Sequence, residues 1–333
     1  MNQPSGIYEL TDFPDLGTVW SHLQQEQGHP LLNWSFIEPV VRHFADQRLA
    51  IACGENGDWI ALVQRDDRLR WQIFKPSQLP IAPILSRQES FALSAVLDQT
   101  SGPTPLALTS FGLDDRYLER REDTATTATE TFGTTISIEN VASFEEYWAG
   151  RKKKLRDNIK RYNKKALQDY EIKLVVDSCA SEMASGVEAY AQLECQGWKG
   201  REGTALEPGN TQCQLYTEIL QGFAQQSGGL VFRLYFDDLL VASRLAISQG
   251  ETAVFLKTTY LESQSSLSPG RIMLHLAIEE LLDRRGIKTV EFYTKADANM
   301  MAWGTSAREI HHATVFRNSI IARLHRLKSK ISD

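Results

Sequence analysis

Two apolar periodicities alternate along this chain. Spacing of 3.6 residues predicts helices over 18–27 and 34–46. Period-two alternation predicts strands over 48–54, where Leu49, Ile51 and Cys53 alternate with alanines, and over 59–65 and 69–73. Asn56-Gly57 and Asp66-Asp67 supply the turns between them. A loop with Pro76, Pro80 and Pro83 follows, then a helix near 86–99 and a strand near 105–110. The second half repeats this order. A strand is predicted over 172–177, helices over 181–195 and 211–226, and strands over 230–236, 241–248 and 251–260. A loop over 261–268 leads into a helix over 269–285, which Gly286 stops, and a strand over 289–294 closes the series.

Each half therefore reads as two helices, three antiparallel strands, a loop, a helix and a strand. The expected fold class is α/β (α+β): two tandem units, each a mixed, mainly antiparallel sheet flanked by helices. The join is placed in 124–135, a threonine-rich stretch poor in apolar anchors, which gives units of 1–135 and 136–333. Two amphipathic helices stand apart from the repeat. One covers 151–167. The other covers 317–330, where Ile320, Ile321, Leu324 and Leu327 are read as a packing face.

Composition narrows the function classes. The chain has 333 residues, of which 42% are hydrophobic and 23% charged, enough for a sizeable core and about two domains. A net charge of −6 excludes a protein that coats nucleic acid with its whole surface, while leaving room for a local basic site. No apolar run approaches the ~18 residues of a membrane span. Residues 1–15 lack both a basic start and an apolar stretch, so no signal peptide is read and the expected location is the cytoplasm. Cys53, Cys179, Cys195 and Cys213 form no C-x-x-C pair and have no histidines at zinc-ligand spacing. They are read as reduced structural thiols, and no metal is expected. The adjacent His311 and His312 suit opposite faces of a strand.

Candidate chemistry concentrates in the second half. Ser268-Pro269-Gly270-Arg271 reads as a helix start, with Ser268 as cap and proline in the first turn. The amides of Gly270, Arg271 and Ile272 would then face an anion, with Arg271 adding charge suited to phosphate. The matching loop of the first half, 75–83, has three prolines and no glycine. One phosphate-bearing cofactor per chain is therefore expected, in the second half. The strand ending at Thr258 and Thr259 offers its edge to the rest of an extended cofactor. The segment 151–165 holds nine Lys/Arg, including Arg156 and Lys160, and one acid, Asp157. A solvated face is its ordinary reading; an acidic or phosphorylated partner, RNA or an anionic membrane is the functional one. Between two helices, 193–206 carries Glu194, a candidate general base, then Trp198 and Lys199. Cys195 has no histidine nearby in sequence to activate it. After the last predicted strand come Tyr293, Asp297 and Trp303, where ligand loops are common. Asp297 either orients a substrate or caps a short helix.

Three stretches, in order, carry a family resemblance. The first is Phe144-Glu-Glu-Tyr-Trp followed by Lys153-Lys-Leu-Arg-Asp-Asn-Ile-Lys-Arg. The second is Leu193-Glu194 with Trp198-Lys199-Gly200 and Gly203-Thr204-Ala205-Leu206. The third is Tyr260 with Ser268-Pro269-Gly270, then Phe292 and Asp297 with Trp303-Gly304-Thr305. Over about 144–305 the chain resembles the BioF2-like acyltransferases of the GNAT superfamily, which include CelD-type exopolysaccharide proteins and are related in design to FemAB peptidyltransferases. The resemblance implies two GNAT-like units and an acyl-CoA co-substrate, its pyrophosphate cradled at Ser268–Ile272. Relatives carry Gly-Asp followed by Tyr-Lys near the motif's end; here Ala296-Asp297 is followed by Met300-Met301.

The resulting expectation is an acyl-CoA-dependent N- or O-acyltransferase working by direct attack of the acceptor on the thioester. Glu194 is the first candidate base and Asp297 the second; Tyr260 or Tyr293 would protonate the leaving thiolate. Trp198, Lys199, Arg156, Lys160 and Trp303 would hold a small-molecule or sugar-linked, anionic acceptor, such as a cell-envelope or exopolysaccharide precursor. One alternative is a FemAB-like aminoacyl-tRNA-dependent transferase with the basic helix on RNA. Another, motivated by Met300-Met301, is a non-catalytic CoA- or ligand-binding regulatory module.

Overall fold

The computed structural model describes residues 4–100 and 103–332. Residues 1–3, part of the stretch read as carrying no leader, lie outside the described residues. The chain divides into two compact units, Met1–Thr134 with Glu309–Asp333 and Thr135–Arg308.

In chain order the first elements are β1 (Gly6–Glu9), α1 (Leu16–Gln27), α2 (Trp34–Phe44), β2 (Leu49–Cys53), β3 (Trp59–Arg65), β4 (Arg70–Ile73), β5 (Ile84–Ser86), α3 (Ser94–Asp98), β6 (Ala107–Leu113) and β7 (Thr127–Ile138). Next come α4 (Phe144–Ala149), α5 (Lys153–Ala166), β8 (Ile172–Asp177), α6 (Ala180–Cys195), α7 (Trp198–Arg201), α8 (Thr211–Ala224), β9 (Gly229–Phe236), β10 (Leu239–Gln249) and β11 (Thr252–Tyr260). The last are α9 (Pro269–Glu279), β12 (Thr289–Glu291), α10 (Ala298–Met301), β13 (Ser306–Phe316) and α11 (Ser319–Ser332).

The repeat of element order is a repeat of topology. In the first unit the strands run β1-β2-β3-β4-β6-β13. All pairs are antiparallel except β4 with β6. In the second they run β8-β9-β10-β11-β12-β7, and only β11 with β12 is parallel. The parallel step falls at the same place because in each unit a loop and a helix lie between those strands. Each unit buries its own core. Trp59, Ile73, Phe91, Leu97 and Val315 lie in the first. Phe232, Ala246, Phe255, Ile272, Met273, Ile278 and Val290 lie in the second.

Several expectations need correction. The break between the units, after Thr134, falls within the threonine-rich 124–135, but the stretch there is not irregular chain: β7 begins at Thr127 with several of its residues exposed, since β-branched threonines suit an extended chain. Residues 309–333 belong with the first unit rather than the second, because β13 supplies its sixth strand, with His311 to Phe316 paired to β6. The helix expected near 86–99 shrinks to α3, preceded by strand β5. The helix expected to reach 285 is α-helical to Glu279 and ends in a π-turn over Glu280–Arg284. In α11 only part of the predicted packing face packs: Ile321 and Ala322 meet Ala107, Phe316 and Ala128, while Ile320, Leu324 and Leu327 are exposed.

Candidate active site

The strand pair β11–β12 sets the site's frame. Their parallel pairing covers Thr252↔Thr289, Ala253↔Val290 and Val254↔Glu291, and no more. At Phe292 the chain turns away, its amide bonding to the Ile136 carbonyl at 3.3 Å. From Phe255 to Tyr260, β11 therefore has no strand partner on that side among the described residues. This open main-chain edge leads to the start of α9. There a Cβ built on Gly270 would stand 3.3 Å from the Tyr260 ring, a tight contact that glycine avoids. Thr258 on this strand is exposed and Thr259 is buried.

The matching loop of the first unit is packed down. This proline loop folds back onto β6, with the Ala82 amide donating to the Gly112 carbonyl at 2.9 Å. Leu79 and Ile81 of this loop are buried.

The expected cradle at 268–272 is smaller than its sequence suggests. Ser268 adopts a left-handed conformation (φ 55°, ψ 50°), and its side chain caps no amide. Its carbonyl instead accepts the amides of Arg271 (3.0 Å) and Ile272 (3.2 Å). Ile272 is itself buried. Gly270 alone keeps an uncommitted amide in this turn among the described residues. The Arg271 guanidinium donates to the Tyr162 hydroxyl at 3.1 Å.

Across the sheet, Glu194 closes a buried cluster. It is 2% exposed at the end of α6. Its Oε1 accepts the Tyr190 hydroxyl (2.8 Å) and Lys199 Nζ (2.5 Å), and its Oε2 accepts the Leu206 amide (2.8 Å). The α7 turn brings Lys199 back onto α6 so tightly that a Cβ on Gly200 would lie 2.1 Å from the Cys195 carbonyl oxygen. Burial, reinforced by the Glu194 charge, pushes Tyr190 well above the ordinary phenol range and Tyr216 upward too. Lys257 points at the Tyr216 ring, 5.5 Å from its centroid, and burial lowers its pKa. On β10, Arg244 is 7% exposed and lies over the Phe255 ring at 4.4 Å; burial brings its guanidinium down to about 10.

Residues 153–299 match the family model of the acetyltransferase (GNAT) domain. The solved structures it resembles share its fold at low identity. The C-terminal domain (DUF2156) of a protein described as a lysylphosphatidylglycerol synthetase from Agrobacterium fabrum is 11% identical, covers 95% of this chain and 96% of that one, and gives a TM-score of 0.59. L-PGS from Bacillus licheniformis is 12% identical, with 96% of each chain covered and a TM-score of 0.55. FemX is 10% identical over 92% of this chain and 98% of its own, with a TM-score of 0.58. A search of the curated proteins gives no match.

Within and near the matched residues, several side chains named from sequence have other work. Asp297 is an N-cap: its Oδ1 accepts the amides of Asn299 (2.9 Å) and Met300 (2.7 Å), which holds its carboxyl below the usual range. An acid so held is a poor proton acceptor, so the base role assigned to it is withdrawn. Trp303 is 3% exposed and packs on Trp148, its carbonyl taking the Tyr147 hydroxyl at 2.8 Å. It is a core residue and not an acceptor contact. Tyr293 accepts from Arg308, which also pairs with the fully buried Glu291 at 2.9 Å. The Cys195 thiol is pushed up by burial, which agrees with a structural role. The Trp198 ring is half exposed, and its amide is held by Glu262 at 2.8 Å.

Arg156 and Lys160 lie elsewhere, in a groove of about 900 Å³ along α5, lined also by Lys153, Lys164, Trp148 and His275. The apolar side of α5, Leu155, Ile159 and Ala166, is buried in the core, so its cations face outward. Sequence reasoning missed Tyr190, Tyr216, Arg244 and Lys257. The available signal was a charge at Arg244 inside an otherwise apolar strand, and another at Lys257 in the next. Among the described residues no group of acids, histidines and cysteines could hold a metal ion.

Proposed function

We propose that the chain transfers an acyl group from a CoA thioester to an amine or hydroxyl acceptor. The observation that carries this reading is the splayed β11–β12 pair, whose free edge ends at Tyr260, beside Gly270 at the start of α9. A pantetheine arm can hydrogen-bond to the main chain of 255–260 as an added strand would, leaving the thioester near the sheet's centre. The pyrophosphate would meet the Gly270 amide and the α9 dipole. Glu194, already bonded to three donors, orders the Trp198–Leu206 loop that faces the acceptor; we assign it a positioning role. A sugar-linked acceptor follows from the resemblance to the CelD-type proteins, and a cytoplasmic location from dependence on CoA.

Calorimetric titration with acetyl-CoA tests the reading. The wild-type chain should bind, and Gly270→Val, which sets a branched side chain against Tyr260, should bind at least tenfold more weakly while melting at a similar temperature. Absence of CoA binding by the wild type sinks the assignment.

The cationic groove along α5 favours a second reading, an aminoacyl-tRNA donor as in the FemAB-like alternative. It requires that tRNA bind with a steep dependence on salt while CoA does not bind.

A further inference from the structure

Helix α11 wears its apolar stripe on the outside. Ile320, Leu324 and Leu327 are 68%, 62% and 60% exposed, and their spacing of four and three residues aligns them on one side. That side cannot simply roll inward, because the opposite side is anchored. Ile321 and Ala322 pack on Phe316 and Ala107, and the His325 ring lies 4.9 Å from the Phe316 ring. Arg326 donates to the carbonyls of Thr124 (2.6 Å) and Thr127 (3.1 Å).

The charge carried by this segment of the sequence is of one sign. Residues 319–332 contain Arg323, Arg326, Lys328 and Lys330 and no acid, in a chain whose net charge is −6. Isolated exposed leucines need no explanation, but an aligned stripe on a wholly cationic helix does. Two copies of this helix packed together would bring like charges face to face with no acid to relieve them, which disfavours self-association. An anionic surface with an apolar layer beneath it satisfies both features.

We propose that α11 is an interfacial helix that docks the protein reversibly on a bilayer rich in anionic phospholipid. The stripe enters the acyl boundary, and exposed Arg323 beside it, with other basic residues of the segment, meets headgroup phosphates. The stripe is narrow and the helix short, so binding is weak and salt-sensitive. It places the enzyme at a lipid surface without a membrane span, and no helix of the described residues is long and apolar enough to provide one.

Flotation of the full chain with vesicles of phosphatidylglycerol and phosphatidylcholine, 1:1, against pure phosphatidylcholine decides the matter. The wild type should float with the anionic vesicles in 0.1 M salt and bind at least tenfold less to the neutral ones. The double variant Ile320→Glu/Leu324→Glu should lose at least tenfold of that binding with an unchanged melting temperature, since both residues are exposed. No flotation overturns the proposal. Flotation that survives the double variant overturns it too, by assigning the attraction to other cations such as those of α5. A dimer in solution that Leu324→Glu dissociates would show that a second copy covers the stripe.

Discussion

At the scale of single residues, a carboxylate's partners decide what it can do, and sequence does not display them. Glu194 and Asp297 look alike as candidate bases, each beside glycine- or aromatic-rich loops. Asp297 holds two amides at the head of α10. Asp297→Ala should therefore cost about 1 kcal/mol of stability, the usual value of an N-cap, with turnover within a fewfold of wild type. Urea unfolding and initial rates check both. His275 offers a pH signature. Its imidazole packs edge-on to Phe144 and Trp148, and burial lowers its pKa to about 4. The unfolded chain takes that proton near pH 6.5, the folded one only near 4, so stability falls as pH drops through this window. The slope is at most about 1.4 kcal/mol per pH unit, and His275→Phe should flatten it in urea midpoints measured from pH 7 to 5. Sequence could not show this, because burial of one imidazole on α9 depends on α4 packing against it.

At the scale of elements, periodicity was a good guide where one side of an element meets a core and a poor one where pairing decides. The prediction for 59–65 coincides with β3 and that for 172–177 with β8, and α5 was visible from Leu155, Ile159 and Ala166 against a run of cations. The segment 124–135 was legible as the place of the join and as exposed chain, but not as strand, because polar threonines do not display the pairing that an extended main chain can make. The cradle at 268–272 misled for a similar reason: residue types promised free amides, but a left-handed Ser268 turned its carbonyl onto two of them. The outward cations of α5 carry their own prediction. Lys160→Glu/Lys164→Glu reverses two charges lining the groove. It should lower the salt concentration that elutes the protein from heparin, with little change in melting temperature, because surface charges contribute little to stability.

At the scale of the whole molecule, the order of strands departs from the order of the chain. The sixth strand of the first unit is β13, some two hundred residues downstream of β6, as the pairing of Thr314 with Thr109 shows. Ala313 and Val315 complete the core that Trp59 and Phe91 begin. Truncation after Arg308 should leave β6 an open edge. Hydrogen exchange should then lose protection across Ala107–Leu113, and the protein should aggregate on mild heating; retained protection would mean that the first unit closes without β13.

This arrangement also bears on biosynthesis. A ribosome releases β1 to β6 some two hundred residues before their last partner, β13. The nascent first unit must wait with a bare sheet margin while the whole second unit is threaded out. Slowing elongation over codons 140–305 would lengthen that exposure, and chaperone engagement with the N-terminal segment should rise accordingly.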